Sequence, residues 1–183
     1  MKLLKSRRLM LMLLSFALIF AFGVMTSVAQ EKQIRDFLQK NVPSAAKAEN
    51  IDVTSCGDSK ITTIVSSEEL TIMGVEGKGI TMDNLPSKIY DNMTYYGVGV
   101  LKIEKGKFSG TLYYKYMDPS GDFFVVEVSQ VGMEREWKYI QGTGKWKGIT
   151  GAGKGFPITK GKPISPGTSQ GCMKITGTYE LKK

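Results

Sequence analysis

Gln141-Gly142-Thr143-Gly144-Lys145-Trp146-Lys147-Gly148-Ile149-Thr150-Gly151-Ala152-Gly153-Lys154-Gly155 is the stretch that decides the fold. Its glycines, at 142, 144, 148, 151, 153 and 155, surround one aromatic and one aliphatic side chain. This spacing predicts a chain that turns sharply twice while keeping a single hydrophobic anchor, Trp146, inside. Gly142-x-Gly144 opens onto a predicted strand rather than a helix, so it lacks the helix dipole by which glycine loops hold phosphate. The motif therefore reads as hairpin geometry in a small closed or nearly closed β-structure. Lys145, Lys147 and Lys154 around it read as solvated loop residues.

On either side of this motif, β-branched and aromatic residues alternate with glycine and Asp/Asn/Pro turns from about residue 60 onward. Strands are predicted at 61–65, 69–75, 94–103, 110–117, 123–131, 135–141, 148–156 and 173–181. Glu104-Lys105-Gly106-Lys107 and Asp118-Pro119-Ser120-Gly121-Asp122 suit hairpin loops. Residues 157–171 carry prolines 157, 163 and 166 and read as a long loop. No amphipathic helix interrupts the strands, which disfavours parallel βαβ folds. The expected fold is all-β, an antiparallel barrel of about eight strands in meander order, since closure removes exposed edges. The barrel domain is assigned to 60–183. Residues 30–59 form its lead-in: a short helix over 30–40, with Ile34, Phe37 and Leu38 on one face, then an extended or irregular connection.

The first 29 residues belong to targeting. Lys2, Lys5, Arg7 and Arg8 precede an apolar run from Leu9 to Val24, and Ser27-Val28-Ala29 supplies a signal-peptidase site. Cleaved export to a periplasmic or extracellular space is the expectation, against an uncleaved anchor, and no membrane association is expected after cleavage. Removing 1–29 takes four positive charges and no negative ones from a formal net charge of +8. The basic balance is thus partly an export signal, and no nucleic-acid partner is expected. Cys56 and Cys172, the two cysteines, flank the folded region. In an oxidising compartment they are candidates for one disulfide, which in the chain-entropy model stabilises by about 4–5 kcal/mol. Two free buried thiols are the alternative.

The strand Trp137–Gln141, followed by the Gly-Thr-Gly-basic-aromatic turn at 142–146 and Gly148-Ile149-Thr150-Gly151, resembles the hairpin of allene oxide cyclase-like and dirigent-like barrels. Uncharacterised secreted bacterial members of that group look similar. The resemblance spans residues 90–181. It implies an eight-stranded, calycin-like barrel with an apolar cavity, often assembled as a trimer. In the plant enzymes such a cavity folds a reactive fatty-acid derivative; in dirigent proteins it holds a phenoxy radical or a related intermediate. The catalytic residues of neither group map onto this sequence. Avidins and lipocalins also build meander barrels with Gly-rich hairpins.

The chain contains no histidine. Ser-His-Asp and Cys-His nucleophiles are therefore excluded, as are His-based zinc and iron sites. No metal and no cofactor is expected. Glu127, mid-strand beside Phe123 and Val125, is the one candidate acid or base. Were its face to point inward, desolvation would raise its pKa; otherwise it pairs with Lys115 or Lys138. The best candidate ligand site joins Tyr114 with Arg135, Trp137 and Tyr139, which alternate along one strand with Gln141, placing apolar walls beside polar tips. The expected function is an exported, non-enzymatic barrel that binds a small apolar or aromatic ligand or a partner protein. A cavity-based isomerase, cyclase or radical-guiding protein is the first alternative. The second is a structural or interaction protein with a filled barrel. Both faces of 123–128 are apolar, which makes the outer surface a candidate interface for a homo-oligomer.

Overall fold

The computed structural model describes residues 31–33, 47–159 and 161–182. The chain divides into two units, Met1–Ala45 and Ala46–Lys183. Of the first unit only one helical turn, 31–33, is described, within the helix expected at 30–40; the signal segment and the rest of that helix lie outside the described residues.

The second unit is built from eight antiparallel strands: β1 (Glu49–Ser66), β2 (Leu70–Asp83), β3 (Thr94–Glu104), β4 (Lys107–Met117), β5 (Phe123–Val131), β6 (Glu134–Gly142), β7 (Ile149–Pro157) and β8 (Thr168–Leu181). Each pairs with the next, and β1 closes onto β8, so the meander is a complete barrel. Closure gives every strand two partners and leaves no edge.

The alternation that predicted the strands also sorts their faces. In β4, Leu112, Tyr114 and Tyr116 point inward, while Tyr113 is on the outer, exposed side. In β5, Phe124 and Val126 are buried and Phe123, Val125 and Glu127 face out.

Two differences from the sequence expectation have physical causes. β1 begins at Glu49, inside the stretch read as an irregular connection. Its alternation has few apolar members (Ile51 and Val53, then Ser55), and Ser55-Cys56-Gly57-Asp58-Ser59 has the composition of a turn. It is extended because it is paired on both sides, with β2 and with β8. The second difference is at Gln141. β6 carries an extra residue opposite Val125/Val126: Tyr139 pairs with Val126, but Gln141 pairs with the outward Val125. This bulge, at Ile140, turns Gln141 away from the face shared by Arg135, Trp137 and Tyr139.

The long loop after β7 is shorter than expected, because β8 starts at Thr168. Cys56 and Cys172 are directly opposed in the β1–β8 register and are bonded, with Cα atoms 4.1 Å apart and a sequence separation of 116.

Candidate functional site

One end of the barrel is sealed. There the β2–β3, β4–β5 and β6–β7 connections meet, and the glycine-rich motif supplies the plug. Between β6 and β7 the chain makes a 3₁₀ turn at Gly144–Trp146 and folds Trp146 into the barrel, where it is 1 % exposed. Its indole packs against Tyr90 and Phe124, with ring centroids 5.4 and 5.1 Å away. Gly144 is required at the turn: its φ is +49°, and a Cβ there would meet the Asp122 carboxylate. The predicted anchor is therefore an anchor, held at the end of a loop rather than along a strand.

Asp118 holds this plug. Its carboxylate, fully buried, accepts the Trp146 indole N–H at 2.9 Å and both the amide and the hydroxyl of Ser120 at 2.7 and 2.6 Å. The Lys145 ammonium lies 2.8 Å away. Burial alone would raise the Asp118 pKa; the hydrogen bonds from Lys145, Ser120 and Trp146 outweigh it and hold the group below the usual carboxylate range. Lys145 is thus a partner of Asp118 and not merely a solvated loop residue. Asp118–Asp122 is the expected turn, with the Asp118 amide bonded to the Asp122 carbonyl.

Above the plug lies a cavity of about 330 Å³. It runs from Ile51, Tyr90 and Met93 at the sealed end to Met133, Thr159, Ser169 and Gln170 at the other. Met133 is 73 % exposed, so this second end is the mouth. A separate group, Val75, Leu101 and Leu112, fills the β2–β4 side of the interior.

The four side chains expected to form a ligand site all line this cavity. Arg135, Trp137 and Tyr139 descend along β6 from mouth to floor. The Tyr139 hydroxyl reaches that of Tyr90 at 3.0 Å. Trp137 stacks edge-on against Tyr139 at 5.2 Å, and its ring lies over Gly153 and Gly177, where a Cβ would come within 2.7 Å of it. Tyr114 reaches in from β4 beside Tyr95 and Tyr116. The Trp137 indole N–H is buried and has no hydrogen-bond partner among the described residues.

Sequence reasoning missed Tyr90, Tyr95, Tyr116, Ser55 and Gln130 as members of this wall. The parity of β4 placed Tyr116 with Tyr114, a signal that was available. Tyr90 lies in the β2–β3 connection, where no periodicity marks a face.

The cavity phenols are kept neutral. Burial pushes Tyr90, Tyr116 and Tyr139 far above the ordinary tyrosine value. Burial also raises Tyr114, against the opposing charge of Arg135. They offer hydroxyl donors and acceptors, not charges.

Glu127 is not in the cavity. It faces outward, receives the Tyr113 hydroxyl at 3.0 Å and pairs with Lys138 at 2.8 Å. The hydrogen bonds from Lys138 and Tyr113 lower its pKa, the opposite of the rise that an inward, desolvated position would bring.

No family model matches the chain, and no curated protein matches it. Among solved structures the chain is similar to the pterocarpan synthase dirigent protein GePTS1, with a TM-score of 0.50 and 9 % identity, over 75 % of this chain and 93 % of that one. At such identity the likeness is one of fold alone: both chains share the barrel architecture.

Proposed function

We propose that the protein is an exported, non-enzymatic barrel that binds a small aromatic or apolar molecule in its cavity. The observation that carries this reading is the aromatic-walled cavity itself, lined by Tyr114, Trp137 and Tyr139. Apolar and aromatic walls with a few polar tips are the usual lining of a small-molecule site. Export is supported by the signal-like N-terminus and by the Cys56–Cys172 disulfide, which suits an oxidising compartment.

A cavity-based cyclase or isomerase is the second reading, favoured by the fold likeness to a dirigent protein named as a pterocarpan synthase. With Glu127 outside, proton transfer would fall to cavity phenols such as Tyr139, which burial keeps protonated.

Native mass spectrometry of the protein from its own secretory compartment tests the binding reading. A retained small-molecule mass, lost when Tyr114→Trp fills the cavity, is the expected result. An empty protein whose Trp137 fluorescence ignores neutral naphthalene derivatives would overturn it.

A further inference from the structure

Among the described residues that line the cavity, Arg135 alone carries a formal charge. Its Nε donates to the Gln130 side-chain carbonyl at 2.9 Å, and one terminal nitrogen donates to the Met173 sulfur, a weak acceptor, at 3.5 Å. Gln130 is buried and fixed in turn, because its amide donates to the Gly132 carbonyl at 3.1 Å. The guanidinium is thus oriented by two neutral groups, and no carboxylate among the described residues comes within ion-pair distance of it. Three other carboxylates of the barrel do have a cationic partner: Glu127 has Lys138, Asp52 has Lys174 and Asp118 has Lys145.

A fixed, half-buried guanidinium with no counter-charge beside apolar walls is a site for an anion that fits its planar fork. The next inward side chains are Trp137 on the same strand and Tyr114 across the cavity. We propose that the ligand is an aromatic carboxylic acid, its carboxylate on Arg135 at the mouth and its ring against Trp137 and Tyr114. This rests on the binding reading above and adds to it the class of ligand and its direction of entry.

Calorimetric titration of the mature chain with 2-naphthoate and with methyl 2-naphthoate tests it. The two share a ring system, and only the acid offers a charge to Arg135. The acid is expected to bind about tenfold more tightly than the ester or better, as for a hydrogen bond to a charged group. Arg135→Gln should bring the acid-to-ester affinity ratio down to about one, while Arg135→Lys keeps part of the preference. Equal binding of acid and ester to the unaltered chain overturns the inference and leaves cavity binding intact. Binding of neither overturns both. The acid-to-ester ratio in the unaltered chain decides the matter even where Arg135→Gln fails to fold.

Discussion

At the scale of single residues, Asp118 shows how a turn residue becomes structural. From sequence, Asp118–Asp122 offers two carboxylates and a tight turn. In the fold, one of those carboxylates is the acceptor for the indole that seals the barrel. Its native pKa is depressed, so the stability it confers is fully present above its unfolded value, near 3.8, and is lost as the pH falls through and below that value. Asp118→Asn should cost about 2 kcal/mol at neutral pH, the scale of a lost charged hydrogen bond with a donor left buried. The variant should also be less sensitive to acid than the parent. Urea denaturation between pH 7 and pH 3 checks both, and an unchanged acid profile would remove Asp118 from this role. Asp118 was recognisable only as a turn former because its partner, Trp146, lies far along the chain and meets it only through β5 and β6.

At the scale of elements, the seam between β1 and β8 joins the first and last strands of the barrel. It was half legible. The cysteines were candidates for a bond, and β8 was recognisable from residue 173 on, but β1 was hidden by its polar, glycine-containing composition. The Cys56–Cys172 bond ties the seam in the middle of its register. The Cys56→Ser/Cys172→Ser variant should lose about 2–5 kcal/mol, the usual cost of removing a native disulfide. Amide exchange should rise first along Val53–Asp58 and Gln170–Ile175, where the two strands pair. Protection there that matches the parent would show that the backbone ladder holds the seam unaided. β6 carries the complementary lesson. Its alternation placed Arg135, Trp137 and Tyr139 together correctly, and its bulge, which sequence spacing cannot register, removed Gln141 from them.

At the scale of the molecule, the barrel separates two apolar surfaces. The inner one forms the cavity and core. The outer one includes Tyr96, Val98 and Val100 on β3 and Tyr113 on β4, each close to half exposed. Val98 and Tyr113 are paired in register, so they form a continuous patch. Homo-oligomerisation through the outer face, the expectation drawn from the sequence, makes this patch its natural seat. Val98→Lys should then shift sedimentation toward the monomer without altering the thermal melt. A parent chain that sediments as a monomer would sink this expectation directly.

The sequence by itself determined the class of fold and that Arg135, Trp137 and Tyr139 share one face of their strand. Period-two alternation and turn chemistry are local properties, and they mark strands and shared faces wherever the alternation is strong and unbroken by a bulge. Only the tertiary structure decided which face is inside, that β1 joins the barrel, that Trp146 closes one end through Asp118, and that Arg135 stands without a counter-charge beside a cavity. Each of these depends on which side chains meet across the closed sheet. Such meetings are set by register and closure between strands distant in the chain, which no local pattern encodes.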